Sequence, residues 1–379
     1  MAHRHIPHIN LRVFIVLVFV SLPLFGLATV FVLGTGQAEL RQAYGTQLMQ
    51  TAQQTAATID SYVYRRMIDV AILARVPDVR AVAAAGSQIK PDGAAIKAID
   101  QAWVSNPSAA AAKLGVLDNA ASRFLRDIVE SDRVYREIVV TDHEGRLVAA
   151  SNLTSDYYQG DEAWWREAFD DGVRGRATVS DVQWDDSTKT WALAFAVPVT
   201  ERAGDRLVGI MKVVANVREL LAVAAGVTSR SNGEAVLIRD DGTLVSSQKA
   251  GSGERIPFFA ADLLRERLKG YKPGDPQFRV DFAARDQSGR SFLVGVAPSQ
   301  LAASYPHLTW LVAVTQAEDD LFSPVRSLLW RLMAAFGVVA GVVLAIAIWF
   351  SVRLAAPPIE PDMHITEHPE VPRIEEDVA

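Results

Sequence analysis

"REIVVTDHEGRLVAAS" (Arg136–Ser151) and "GEAVLIRDDGTLVSSQ" (Gly233–Gln248) decide how this chain folds. Each alternates apolar residues at period two, breaks at an Asp- and Gly-containing turn, and then alternates again. This is the pattern of strand, tight turn, strand. In the first copy the turn covers Asp142 to Gly145, and Leu147-Val148 correspond to Leu244-Val245 in the second. The offset of about a hundred residues marks a duplicated domain and not a solenoid of short repeats.

Further strands follow each copy. "RATVSDVQW" (Arg176–Trp184), "TWALAFAVPVT" (Thr190–Thr200) and "RLVGIMKVVANV" (Arg206–Val217) complete a five-stranded antiparallel sheet in the first. "RSFLVGVAPS" (Arg290–Ser299) and "LTWLVAVTQAED" (Leu308–Asp319) echo the last two of them in the second. Upstream, Gln37 to about Arg75 forms one long helix, without proline until Pro77. Its apolar stripe runs through Leu40, Tyr44, Leu48, Ala52, Ala56, Ile59 and Val63, at spacings of three and four. At 1.5 Å per residue it reaches roughly 60 Å. The stripe suits packing on its own domain and also pairing with a second copy as a homodimer. Pro77 to about Leu117 is alanine-rich, with short helices or loops, and Ala120–Ser131 is helical again. The fold class is therefore α+β: a long N-terminal helix followed by two tandem units, about residues 120–222 and 230–320.

Two runs of 21 residues carry no charge, Val13–Leu33 and Leu332–Val352. Each is long enough to cross a bilayer core. Basic residues precede the first run, as in a signal peptide, but its apolar core is too long, and an uncleaved anchor is expected. Arg4 and Arg12 place residues 1–12 in the cytoplasm by the positive-inside rule, and two spans return the C-terminus to the same side. Residues 34–327 then lie outside, which in a bacterium means the periplasm or cell exterior. The tail, 353–379, is acidic and proline-rich and is expected to be disordered. The net charge of −6 argues against a nucleic-acid partner, and the absence of cysteine excludes disulfides, thiolate metal sites and a cysteine nucleophile. His143 and His307 have no nucleophile or acid partner fixed by sequence, and no phosphate loop or metal motif occurs. Neither an enzyme nor a cofactor is expected.

"YYQGDEAWWREAF" (Tyr157–Phe169) is the most unusual passage, with two adjacent tryptophans beside an acidic pair. From the flanking spans, the long helix, the two PAS-like sheets and this passage, the chain resembles the double Cache sensors over roughly residues 37 to 327. These are extracytoplasmic input modules of bacterial chemoreceptors and sensor kinases. The resemblance implies a membrane-distal unit that holds the ligand and a membrane-proximal unit that transmits. It also implies a site in which Tyr157 is the first aromatic, Trp164 and Trp165 are a Trp-aromatic pair, and Trp184 and Asp186 replace a Tyr-x-Asp. Glu162 stands where the amino-acid-binding branch has an arginine, and Val214, near Asn216, where it has a second aspartate.

Arginine there clamps a ligand carboxylate, and glutamate would repel it. The set Tyr157, Glu162, Trp164, Trp165, Trp184 and Asp186 suits a cation instead, an amine or quaternary ammonium held by aromatic faces and carboxylates. The structural alternative stands beside this one. Tryptophans in a short helix over a sheet are often core, and Glu162 and Arg166 are spaced to pair on a helix surface. The expected function is a two-pass sensor of the bacterial inner membrane that binds a small molecule and signals to a separate partner. The alternative is a membrane-anchored binding or assembly scaffold that reuses the fold.

Overall fold

The computed structural model describes residues 11–89, 93–185, 190–201, 205–222, 234–245 and 256–354. The chain divides into two compact units, Met1–Gly36 with Pro324–Ala379, and Gln37–Ser323.

Among the described residues one helix is long and apolar enough to cross a membrane, over Glu318–Ile346. It carries exposed apolar side chains such as Trp330, Val338 and Val339. Val13–Leu33 is helical, as part of α1 (Leu11–Leu73). One spanning candidate is thus seen where two were expected. The tail beyond Leu354 lies outside the described residues.

Within Gln37–Ser323, α1 continues as the expected long helix. Leu48, Ala52, Ala56, Ile59 and Val63 are buried, and the stripe extends through Met67, Val70 and Ala74. Leu40 and Tyr44, at its start, are half-buried. The 3.6-residue period places these side chains on one face, and that face forms the main core with both sheets. Three short helices follow: α2 (Pro77–Ser87), α3 (Gly93–Ser105) and α4 (Pro107–Leu114). Next comes α5 (Ala120–Ser131), where Asn119 caps the N-terminus by accepting from Ser122 N at 2.9 Å.

The first sheet comprises β1 (Tyr135–Thr141), β2 (Leu147–Ala150), β3 (Thr178–Val179), β4 (Gln183–Asp185), β5 (Thr190–Thr200) and β6 (Leu207–Asn216). Its order is β2-β1-β6-β5-β3, with β4 also on β5, all antiparallel. The single strand expected over Arg176–Trp184 is therefore two strands. Thr178 pairs with Ala196 but Gln183 with Ala192, a register that changes by one residue between them. An extra residue of this kind breaks the ladder as a bulge does. Between β2 and β3 lies α6 (Ala163–Phe169).

The second sheet holds β7 (Glu234–Arg239), β8 (Val280–Arg285), β9 (Ser291–Pro298) and β10 (Trp310–Ala317), in the order β7-β10-β9-β8. α7 (Ala261–Arg267) lies between β7 and β8. The strand β8 is an addition to the sequence reading. The repeated turns have the expected chemistry: Gly145 and Gly242 adopt φ of +83° and +81°. Asp142 Oδ1 accepts from Glu144 N at 2.9 Å, and Asp241 Oδ1 accepts from Thr243 N at 2.8 Å.

α1 reaches the second sheet closely. A Cβ on Gly295 would lie 2.5 Å from the Leu48 carbonyl carbon, so only glycine lets the helix backbone approach β9 there. Buried Asp60 of α1 accepts from Ser299 Oγ at 2.5 Å and Gln300 N at 2.8 Å, beyond the end of β9. β10 ends at Ala317, and α8 (Glu318–Leu354) begins at the next residue.

Candidate functional site

The stretch Tyr157–Phe169 sends its aromatic side chains to different places. Tyr157 is buried with Trp103, ring centroids 5.9 Å apart, beside Val139 and Leu147. The backbone N–H groups of Tyr157 and Tyr158 both donate to Asp100 Oδ1, at 3.1 and 3.0 Å. Trp165 is buried against Ala196, Leu207 and Ile210. It donates from Nε1 to Thr141 Oγ1 at 2.9 Å and stacks on Phe169 at 4.4 Å. Trp164 is half-buried and lines a cavity together with Glu162, which precedes α6 at its N-cap position without a side-chain capping bond. Successive helical residues are about 100° apart, so Trp164 and Trp165 cannot share a direction.

The cavity has a volume of about 520 Å³. Its floor is the face of β5 and β6 that carries Ala192, Ala194, Ala196, Lys212 and Val214. Three alanines at alternate positions leave that floor low. One wall is α6, through Glu162, Trp164 and Glu167. The opposite wall is β3 and β4 with their connection, through Ser180, Asp181, Trp184 and Asp185. His307, from the segment before β10, completes it.

Of the six residues expected at the site, Glu162, Trp164 and Trp184 thus line one cavity. Tyr157 and Trp165 are not among its lining residues, and the four aromatics do not converge on one ligand position. Asp186 lies outside the described residues, although its neighbour Asp185 lines the cavity. Val214, aligned with an aspartate of the resembling branch, is in the floor.

The charges divide into those already engaged and those that are not. Asp181 Oδ2 accepts from Arg239 Nε at 2.6 Å, and its Oδ1 accepts from Trp310 Nε1 at 2.8 Å. Both partners belong to the second sheet, and both are buried. Glu167 meets Arg176 at 3.5 Å and His307 Nδ1 at 3.9 Å, while His307 Nε2 donates to Val179 O at 2.5 Å. Glu162 does not pair with Arg166, whose Nη2 donates to Asp161 O at 2.5 Å instead. Lys212 Nζ stands over the Trp164 ring, 5.1 Å from its centroid. That aromatic face is therefore already covered by an internal cation. Trp164 Nε1 is buried without a hydrogen-bond partner.

Lys212, Asp181 and His307 were not anticipated as site residues. Lys212 carried a signal, being the only charged residue within β6, LVGIMKVVAN. The alternation of small and large in "WALAFAV" also marks one face of β5 as cavity and the other as core. Asp181 and His307 carried none, because their partners lie more than a hundred residues away, 58 excepted for Arg239.

Residues 36–325 match the family model described as Cache domain. No curated protein matches the chain. Solved structures overlap it at low identity. The ligand-binding domain of the Pseudomonas aeruginosa amino acid chemoreceptor PctC in complex with GABA is 19% identical, covering 72% of this chain and 100% of that one, TM-score 0.45. That of the Campylobacter jejuni chemoreceptor Tlp3 with L-norvaline is 11% identical, covering 75% and 94%, TM-score 0.47. That of the Pseudomonas fluorescens chemoreceptor CtaA with L-serine is 13% identical, covering 74% and 99%, TM-score 0.46.

Proposed function

This chain belongs to the double Cache domain family, and from that premise we propose that it is an extracytoplasmic sensor anchored in a bacterial inner membrane. The cavity of the first sheet unit binds a small molecule, and the bound state passes through α8 to a separate partner protein. The role is binding and not catalysis. Two apolar segments, Val13–Leu33 and Leu332–Val352, hold residues 34–327 in the periplasm. A cationic group on the ligand, such as an amine, is favoured by Glu162 and Trp184.

One observation carries the reading. Asp181, in the cavity wall, is bonded to Trp310 at the start of β10, and β10 runs into α8 without an intervening residue. A ligand that draws on the β3–β4 wall pulls on the strand that precedes the membrane helix. Energetic coupling of this kind requires a contiguous set of packed and bonded groups.

The chain has no cysteine, so one introduced at exposed Leu328 takes a fluorescent label uniquely. The full chain in lipid nanodiscs is screened by thermal shift against amines, amino acids, organic acids and purines, since a ligand of the native state raises Tm. The expected result is a hit that changes the label's emission, with Trp310→Phe, which removes the bond to Asp181 from outside the cavity lining, keeping the hit and losing the emission change. A hit that leaves the label silent overturns the transmission route.

A further inference from the structure

Two charged side chains of the cavity have no ion-pair partner among the described residues, and they are opposite in sign. Glu162 is on α6 and makes no capping bond with its side chain. Lys212 is on β6, between β1 and β5, where Val139 and Ala196 are its register partners. The other cavity carboxylates with described partners, Asp181 and Glu167, are already neutralised. Lys212 is half-buried, whereas every other residue of its strand is buried. Its ammonium is held over the Trp164 ring and turned to a cavity whose alanine floor leaves room beside it.

We propose that Lys212 is the anion-recognising residue of this cavity, so that the ligand carries an anionic group at the β6 side and a cationic group at the Glu162 side. The inference rests on the cavity being the ligand site and adds the ligand's polarity. Lys212 suits a carboxylate or similar anion as a point charge with three donors, and the Trp164 ring fixes where that charge stands. Glu162 accepts from an ammonium in the same way. Two unpaired charges of opposite sign across one cavity select for separation between the ligand's charges as well as for their presence. They disfavour a plain amine, whose approach to Lys212 is repulsive, and a plain carboxylate, which Glu162 repels.

The test uses the full chain in nanodiscs, with calorimetric titration of three probe sets: linear aminocarboxylates of increasing spacer length, the matched alkylamines and the matched alkylcarboxylates. The aminocarboxylates are expected to bind best, with an optimum spacer. Lys212→Met should weaken them by at least about tenfold and tighten the alkylamines, whose repulsion it removes, and Lys212→Arg should restore most of the aminocarboxylate loss. Glu162→Gln should weaken aminocarboxylates and amines and tighten carboxylates, whose repulsion it removes. If Lys212→Met leaves aminocarboxylate affinity unchanged while Ala194→Leu abolishes it, the cavity is the site and Lys212 only supports Trp164, which overturns the proposal alone. If binding survives Ala194→Leu, the ligand sits elsewhere and the underlying site reading falls with it.

Discussion

In the first sheet unit, the face of β5 that does not pack on α1 carries Ala192, Ala194 and Ala196; in the second, the matching face of β9 carries Phe292, Val294 and Val296. The neighbouring strand differs as well. Ala196 pairs with Lys212, whereas Val296 pairs with Ala313. The covering helices align as "WWRE" (Trp164–Glu167) and "LLRE" (Leu263–Glu266). In the second unit Phe258, Leu264 and Phe282 pack onto Val294 and Val296 as an apolar cluster. One topology has thus been used twice, with one face emptied and charged and the other filled. The difference lies in about five side chains and not in the backbone, so the presence of a cavity here is a property of strand-face residues. It also explains Trp165, which occupies the position of the buried Leu264 and is the core member of its pair.

The comparison can be broken at several points. The largest effect is expected for Trp165→Ala, which should lower stability by about 3–5 kcal/mol by the usual loss for a buried aromatic. A chemical-denaturation series that found no destabilisation, only weaker ligand binding, would return Trp165 to the ligand site. Leu264→Ala, its counterpart, should cost about 2–5 kcal/mol in the same measurement and leave ligand affinity unchanged. Transplanting the filled face, as Ala192→Phe with Ala194→Val and Ala196→Val, should abolish ligand binding and shift stability by about 1–3 kcal/mol if the cavity accepts the added volume. Retained affinity in that variant would show that the face is not what distinguishes the units.

The smallest effect concerns how α1 is fixed to each unit. On the first it uses Arg66, which meets Asp132 at 3.1 Å and Glu219 at 3.2 Å. On the second it uses Asp60, whose carboxyl is raised above its ordinary range by burial, against the opposing bonds from Ser299 and Gln300. A raised carboxyl binds its proton more readily in the folded chain. Its contribution is fully present below the unfolded pKa and is lost as pH rises through the folded one. Stability relative to Asp60→Asn should therefore decline as pH rises across that window. Thermal melts of the two proteins from pH 4 to 8 that stay parallel would refute it.

The long helix was legible because its stripe, Leu48 to Val63, is a local period imposed by one buried face. The strands and the two Gly turns were legible for the same reason. The pairing at β3 and β4 was not, since a one-residue register change leaves the apolar alternation almost intact. β8 was missed because "VDFAAR" (Val280–Arg285) follows a loop rich in Pro and Gly and alternates over only six residues. At the cavity, aromatic spacing pointed to the helix that forms one wall but could not separate Trp164 from Trp165. A helix of seven residues holds too few turns for a period to declare which side is buried. Asp181 and His307 depend on contacts with the second sheet, and no local pattern carries them.

The contact at Gly295 gives α1 a fulcrum. The helix cannot lift from β9 at Leu48 without opening a void, nor press closer without backbone overlap. From there roughly 37 Å of helix extends to Leu73 and roughly 16 Å back to Gln37. A tilt about that point that moves the far end by about 1 Å moves the near end by about 0.4 Å in the opposite sense. A tilt at the Leu73 end of α1 is thereby geared down and inverted at its Gln37 end.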